Sequence, residues 1–176
     1  MIGSGAGAPL LANGMNGAPL TADHGFPLRT LVPGYIGARS VKWLGRIVVS
    51  DRPSPNHYVA TAYKLVKSTD PIEWAESGPI YRYPINAAIC TPKENAQLAA
   101  GEIDLAGYVL PTGRPGTTVK KVLVSADQGK RWTEATMVGK DSEFCWQLWN
   151  AKVKVTAATK RLMVRALDSS GGFMPY

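Results

Sequence analysis

Residues with clear chemical potential are concentrated between positions 16 and 46 of the chain. This segment contains one acidic residue, Asp23, and five basic ones: His24, Arg29, Arg39, Lys42 and Arg46. Glycines and prolines are interspersed among these cations. Glycine lets a ligand approach the backbone closely, and proline stiffens a loop. Fixed cations and free backbone N–H groups are suited to binding a polyanion. A basic surface loop without a ligand has the same composition, so the residues alone leave both interpretations open.

The elements that would position these cations are short. We predict a helical turn near residues 38–44, a buried strand over residues 47–49, and an extended segment over residues 58–66 that carries Tyr63. Residues 70–84 contain three prolines, which predicts a linker or a strap across the surface. The domain boundary is therefore predicted near Arg82.

A regular β pattern begins at Ile85. The candidate strands are residues 86–90, 102–109, 118–125, 131–137, 144–149 and 160–167. Short strands at this spacing, separated by turns rich in Gly, Pro and Asp, predict a β-sandwich. Its tryptophans are expected to lie in the core, because each can bury roughly 150–250 Å². They are Trp132, Trp146 and Trp149.

The composition is that of a folded chain, with 45% apolar and 19% charged residues. A net charge of +7 favours anionic partners. The basic residues of the second half occur as pairs, such as Lys120 and Lys121, and such pairs usually form a solvated face. We therefore expect no nucleic-acid binding. The sequence contains no apolar run of about eighteen residues and no positively charged leader, so we expect neither a membrane span nor a signal peptide.

The two cysteines, Cys90 and Cys145, lie in apolar, strand-like runs. Buried free thiols are the usual state of cysteines in that setting. Neither cysteine has zinc-site spacing, and the two histidines, His24 and His57, are far apart, so we predict no metal ligands in this chain.

Three motifs lie close together in this segment: Asp-His-Gly-Phe-Pro-Leu-Arg at residues 23–29, Val-Pro-Gly at 32–34 and Gly-Ala-Arg-Ser-Val-Lys-Trp-Leu at 37–44. Together they resemble the sulfite oxidase family of molybdenum enzymes, which includes the plant-type nitrate reductases. The resemblance implies a pocket for the molybdopterin cofactor, whose phosphate needs cations. The residues that it places in this pocket are His24, Arg29, Lys42 and Arg39 for cofactor contact, and Tyr63 near the substrate.

The second half is similar to the C-terminal, immunoglobulin-like dimerisation domain of the same family. The matching motifs are Val-Ser-Ala-Asp-Gln-Gly-Lys-Arg-Trp at residues 124–132 and Trp-Gln-Leu-Trp at 146–149. The predicted fold is therefore mainly β, with an immunoglobulin-like sandwich preceded by an irregular α+β part of a cofactor domain. We assign residues 1–82 to the C-terminal portion of the molybdopterin-binding domain and 83–176 to the dimerisation domain, which we expect to be incomplete at its C-terminus.

The resemblance implies oxygen-atom transfer to a small anion, such as the conversion of sulfite to sulfate, and leaves nitrate open as a substrate. The family holds molybdenum through an upstream cysteine thiolate, but no cysteine precedes Cys90 here, and we assign that role to neither cysteine. We expect an internal piece of such an enzyme, inactive and without firm binding of the cofactor when alone, that acts as a homodimer or with a complementary chain carrying the rest of the cofactor domain. The alternative is a non-catalytic dimerisation or interaction module with a vestigial cofactor segment.

Overall fold

The computed structural model describes residues 7–65 and 77–174. By its internal contacts the chain divides into two compact units, Met1–Tyr83 and Pro84–Tyr176. Strands are far more extensive than helices, which confirms the predicted mainly β class. Part of the strap predicted over residues 70–84 lies outside the described residues. Within the described ranges, no helix has the length and apolar character needed to cross a bilayer.

The first unit has short elements joined by irregular loops. Strand β1 (Leu10–Ala12) pairs antiparallel with β4 (Arg29–Leu31), and β2 (Gly14–Met15) forms a hairpin with β3 (Ala18–Pro19). Asn16 and Gly17 make the hairpin turn with φ of 54° and 79°, the left-handed conformation that an Asn-Gly pair favours. Two 3₁₀ turns (Ala22–His24 and Gly37–Arg39) and one helical turn, α1 (His57–Ala60), complete the unit.

Two sequence-based predictions for this unit are wrong, and a third is confirmed only in part. Residues 47–49 form no strand, and their side chains are exposed, Val49 to 95%, because no described residue packs over them. The helical turn predicted over 38–44 is a shorter 3₁₀ turn that begins one residue earlier, at Gly37. The described part of the 58–66 segment starts as helix α1 rather than extended chain, since the side chain of Asn56 accepts a hydrogen bond from the Tyr58 N–H at 2.9 Å and caps the turn.

The second unit is a two-sheet β-sandwich. One sheet has the order β5-β6-β10-β9 and the other β11-β7-β8, with antiparallel pairing throughout. The strands of the first sheet are β5 (Asn86–Thr91), β6 (Gly101–Leu110), β9 (Thr136–Val138) and β10 (Gln147–Val155). Those of the second are β7 (Val119–Ser125), β8 (Thr133–Glu134) and β11 (Met163–Asp168).

The core of the sandwich is formed by the inward-facing residues of these strands. Trp149 is its largest member, with 1% of its surface exposed, and its indole Nε1 donates a hydrogen bond to the Tyr108 carbonyl at 2.9 Å. The ring lies across Gly107, where the backbone has room for no side chain. Aliphatic residues surround it: Leu105, Val109, Val119, Val122, Val124, Val153 and Val155.

The other two tryptophans and both cysteines are not buried as predicted. Trp146 is 62% exposed, because β10 turns its even-numbered residues outward and Trp146 continues that alternation. Trp132 is half-buried, with the Arg165 guanidinium carbon 5.3 Å from its ring centroid. Cys90 and Cys145 are exposed free thiols, so the prediction that they are buried is wrong.

Two strand predictions also differ from the structure. The segment 131–137 is split into β8 and β9, which belong to different sheets. The strand predicted over 144–149 begins later and runs on to Val155. The prediction missed its second half because lysines at alternate positions lower the apparent apolarity there, although their neighbours still face the core.

A buried carboxylate, Asp168, closes the turn after β11. Its Oδ1 accepts hydrogen bonds from the Ser170 N–H at 2.9 Å, the Ser170 hydroxyl at 2.7 Å and the Gly172 N–H at 2.8 Å. Burial acts to raise the pKa of Asp168, but the hydrogen bonds from Ser170 and Gly172 outweigh it and hold the pKa below its ordinary value. The ionised form is therefore the one that stabilises the fold.

We expect Asp168→Asn to lower the free energy of unfolding at pH 7 by about 1.5–3 kcal/mol, the range for a hydrogen bond to a charged group. Because the folded-state pKa is depressed, the wild-type advantage should be complete above the ordinary pKa of 3.8 and should decline as the pH falls through the folded-state pKa. Urea unfolding at pH 7 and pH 3 measures both effects. Asp104→Asn, at an exposed carboxylate, is the control and should change little. An equal loss for Asp168→Asn at both pH values would contradict this role.

Candidate functional site

Three of the predicted cofactor-contact residues, His24, Arg29 and Lys42, meet at the Ala22–His24 turn of the first unit. Its three successive carbonyls each accept a hydrogen bond from a long side chain: Ala22 O from Trp43 Nε1 at 2.9 Å, Asp23 O from Lys42 Nζ at 2.8 Å, and His24 O from Arg29 Nη1 at 3.0 Å. We call this arrangement the carbonyl clamp. It fixes two cations beside the turn that bears His24, and charge-assisted hydrogen bonds of this kind are among the stronger ones.

Local sequence explains why the two segments of the clamp lie together. The N–H of Thr30 donates to the Val41 carbonyl at 2.9 Å, and the N–H of Val41 donates to the Thr30 hydroxyl at 2.7 Å. Gly25 has φ of 105°, and a Cβ there would lie 2.9 Å from the Cβ of Lys42. Only glycine allows this approach without displacing Lys42.

His24 is held by the residue that precedes the turn. Its ring Nδ1 lies 2.7 Å from the Thr21 hydroxyl, while the residue itself is exposed. This contact orients the imidazole, whose tautomer decides which of the two atoms donates. His24 therefore has a fixed orientation on a solvent-facing turn.

Arg29 joins the clamp to the segment that carries the next cation. Its Nη1 and Nη2 donate to the carbonyls of His24 and Ser40, at 3.0 and 3.4 Å. Its Nε is buried and makes no hydrogen bond to any described residue. Buried donors without a partner are rare in folded proteins and call for an explanation, and an anionic ligand is one that the chemistry of guanidinium favours.

Arg39 belongs to a second, neighbouring group with Tyr63. Its Nη1 and Nη2 donate to the carbonyls of Tyr58 and Ile80, at 3.2 and 2.8 Å, and its Nε is likewise buried without a partner among the described residues. The Tyr58 and Tyr63 rings lie 5.9 Å apart, and the Ile80 N–H donates to the Tyr63 carbonyl at 2.7 Å. Tyr63 is half-exposed with φ of 47°, an unusual backbone conformation for an aromatic residue.

The structure thus brings His24, Arg29 and Lys42 together and places Arg39 and Tyr63 in the adjoining group. Sequence reasoning did not identify Trp43 and Thr21, which hold the turn and the imidazole. The adjacent Lys42 and Trp43 in the motif were the one signal that could have indicated a role for Trp43, because a lysine ammonium is attracted to an aromatic ring. In the structure Lys42 Nζ lies 4.8 Å from the Trp43 ring centroid.

The first unit contains no cysteine thiolate to hold a metal. No cysteine precedes Cys90, and the described residues contain no group of three or more His, Cys, Asp or Glu side chains that could hold a metal. The site as built is a set of fixed cations with unsatisfied donors, which can bind an anion.

Comparisons with known proteins agree on one family. Residues 4–58 match the family model of the oxidoreductase molybdopterin binding domain, and residues 77–176 match that of the Mo-co oxidoreductase dimerisation domain.

Individual relatives give the same result. Mitochondrial sulfite oxidase of Mus musculus is 38% identical over 175 residues, which cover 94% of this chain and 32% of the mouse protein. Sulfite oxidase of Arabidopsis thaliana is 35% identical, with 94% of this chain and 45% of that protein covered. NADPH nitrate reductase of Emericella nidulans is 33% identical, with 94% of this chain and 23% of that protein covered. The chain thus spans about a third of the length of the animal sulfite oxidases that it matches.

The fold has a solved counterpart. The crystal structure of the sulfane dehydrogenase SoxCD from Paracoccus pantotrophus superposes with a TM-score of 0.74 over 95% of this chain and 42% of that chain. The sequences are 24% identical, so this likeness concerns the fold alone.

Proposed function

Because the chain belongs to the sulfite oxidase family of molybdenum oxidoreductases, we propose that its first unit forms part of a molybdopterin pocket and its second unit a dimerisation surface. The observation that carries the first half of this proposal is the carbonyl clamp, which fixes Arg29 and Lys42 beside His24. The family's cofactor is the molybdenum cofactor, and its anionic end is the part that such cations would bind.

The residues fit the phosphate end of the cofactor. Arg29 has an unsatisfied buried Nε, and Lys42 uses one of its three donors on Asp23. Both side chains are held by backbone carbonyls, so little conformational entropy would be lost when an anion binds. They do not fit the metal, because the first unit has no thiolate. We infer that the cysteine that holds molybdenum in the family comes from polypeptide outside this chain.

The reaction that we propose for the complete enzyme is oxygen-atom transfer to or from a small anion, with sulfite to sulfate as the first candidate. The molybdenum centre supplies the redox chemistry when it is bound. In the second group, Arg39, which is fixed by two carbonyls, would add to the cofactor contacts. The Tyr63 hydroxyl would donate a hydrogen bond to the substrate anion.

We expect Tyr63→Phe to lower kcat/KM for sulfite about tenfold or more in a complete enzyme, because a hydrogen bond to a charged group contributes about 1.5–3 kcal/mol. Molybdenum content should not change, since the ring still packs on Tyr58. Tyr35→Phe is the matched control, because that ring lies against Arg82 instead. Steady-state sulfite oxidation with molybdenum analysis measures both quantities. Unchanged kcat/KM would remove Tyr63 from the site.

One observation supports a complementary polypeptide as partner. Three apolar side chains that follow one another in the first unit are exposed: Ile47 to 62%, Val48 to 69% and Val49 to 95%. A continuous apolar patch is typical of an interaction site. We infer that polypeptide of the molybdopterin-binding domain outside residues 4–58 covers it.

The alternative is a non-catalytic dimerisation module whose cofactor segment binds nothing. The absence of a cysteine in the first unit favours it. The two functions differ in one measurable property, which is saturable binding of molybdopterin by the chain.

A further inference from the structure

One end of the sandwich in the second unit is strongly basic. It is formed by the loop of residues 126–132, between β7 and β8, and by the segment of residues 156–162, between β10 and β11. Each of the two carries an adjacent lysine–arginine pair: Lys130 and Arg131 in the first, Lys160 and Arg161 in the second. All four residues are exposed. We call this set of four residues the basic end.

The register of the sheet β11-β7-β8 brings the two pairs to the same place. Met163, the first residue of β11, lies opposite Ser125, the last residue of β7, and β8 pairs with the other edge of β7. Because strands in a sheet are about 4.8 Å apart, the backbones of the two pairs are separated by about 10 Å. A side-chain contact spans the same gap: the guanidinium carbon of Arg165, on β11, lies 5.3 Å from the ring centroid of Trp132, which precedes β8.

Hydrogen bonds hold the first pair in a closed loop. The Ser125 hydroxyl donates to Asp127 Oδ1 at 2.9 Å and accepts from the Gly129 N–H at 2.9 Å. Asp127 Oδ1 also accepts from the Arg131 N–H at 2.9 Å. The backbone that carries Lys130 and Arg131 is thus fixed before any ligand binds, so that binding has little chain to order.

The positive charge of the basic end is not neutralised locally. Residues 121–134 and 160–165 contain six basic and two acidic residues. One of the acids, Glu134, pairs with Lys121 at 2.8 Å, and the other, Asp127, closes the loop. Within the described part of the chain, no carboxylate lies at ion-pair distance from any of the four cations. Their ammonium and guanidinium groups are therefore available to an anionic partner.

We propose that the basic end is a docking site for an acidic protein segment, one whose carboxylate side chains are closely spaced. Each of its two guanidinium groups can hold a carboxylate by two parallel hydrogen bonds, and each of its two ammonium groups acts as a point charge. A second copy of the chain is excluded as the partner at this end, because it would present the same charge and be repelled.

The arrangement of the cations favours a protein over a nucleic acid or a sulfated polysaccharide. The four cations form a compact group on two loops, whereas a long polyanion is bound along a groove or row of cations that follows its backbone. The site belongs to the second unit, so it does not depend on cofactor binding by the first.

Fluorescence anisotropy of a labelled poly-glutamate peptide, titrated with the full chain, tests the proposal. The wild-type chain should bind the peptide, and the affinity should fall as the salt concentration rises from roughly 20 to 200 mM, because salt screens exposed charges. Arg131→Gln/Lys160→Gln removes one charge from each pair and should raise the Kd about fivefold or more, since it removes two of the four cations that would meet carboxylates.

Arg114→Gln/Lys140→Gln is the matched control. It lowers the net charge by the same amount, and both residues are exposed. They lie in loops at the opposite end of the sandwich, which are joined by a hydrogen bond from the Gly116 N–H to Glu143 Oε2 at 2.9 Å. The Kd of this variant should match that of wild type.

Each outcome decides the question. A wild-type chain that does not bind poly-glutamate overturns the proposal, and so does equal weakening in the two double variants, which would show that net charge alone attracts the peptide. Heparin and single-stranded DNA are titrated in the same way. If Arg131→Gln/Lys160→Gln weakens the binding of either polymer more than that of poly-glutamate, the basic end is assigned to that polymer instead. Thermal melts check the fold of each variant, and Lys130→Gln/Arg161→Gln, which neutralises the other member of each pair, should repeat the loss.

Discussion

Arg29→Gln is expected to weaken molybdopterin binding by the chain about tenfold or more. The substitution removes the positive charge beside the turn and both hydrogen bonds, to the carbonyls of His24 and Ser40. The hydrogen bond that we propose from the Arg29 guanidinium to the cofactor phosphate would contribute about 1.5–3 kcal/mol, which corresponds to a factor of ten or more in affinity. Equilibrium dialysis, with pterin quantified by fluorescence after oxidation, measures the affinity directly.

Arg52→Gln is the control for this experiment. It lowers the net charge by the same amount. Arg52 is highly exposed, and among the described residues its only ion pair is a 3.8 Å contact between its Nε and Asp51 Oδ1. Its affinity should match wild type. Arg29→Lys separates charge from geometry, because lysine keeps the charge but cannot donate to two carbonyls in the same way. Equal affinities for Arg29→Gln and Arg52→Gln would show that Arg29 has no specific role.

Gly107→Ala should destabilise the sandwich by about 3 kcal/mol or more. A Cβ at this position would overlap the carbonyl oxygen of Ala88, on the neighbouring strand, and the six-membered ring of Trp149. Neither can move freely: the carbonyl belongs to the β5-β6 pair, and the indole is buried and hydrogen-bonded to Tyr108. Overpacking costs of 1–3 kcal/mol are usual where side chains can adjust, and here backbone would have to shift.

Thermal unfolding followed by near-UV circular dichroism tests this prediction, since the signal reports the packing of Trp149. A loss of that size corresponds to a fall in Tm of roughly 10 °C or more for a unit of this length. Gly45→Ala is the control, because a Cβ there meets nothing within 4 Å and its φ is not in the left-handed region. A Tm within a few degrees of wild type for Gly107→Ala would contradict the packing described.

Much of the sandwich could be predicted from the sequence. Strands β6, β7 and β11 lie within a few residues of their predicted positions, because their apolar residues alternate and turn residues bound them. Exposure was harder to predict. Trp146 is as apolar as Trp149, and only the alternation along β10 decides that one faces outward and the other fills the core.

In the first unit, less of the structure could be predicted from the sequence. Residues 47–49 have the composition of a buried strand, but nothing among the described residues covers them. Local sequence predicts the tendency of a segment to be buried and does not specify its partner. The cations were identifiable from the motifs, whereas the clamp was not, because it depends on three backbone carbonyls whose directions follow from the fold of the Ala22–His24 turn.

The measurement that tests the central claim most directly is the stoichiometry of molybdopterin binding to the purified wild-type chain. Mass determination on the same sample establishes that only the 18.9 kDa chain is present. We predict saturable binding of one pterin per chain, with no requirement for a thiolate in the first unit. A chain of the correct mass that binds no pterin at saturating cofactor would contradict the claim and favour the non-catalytic dimerisation module.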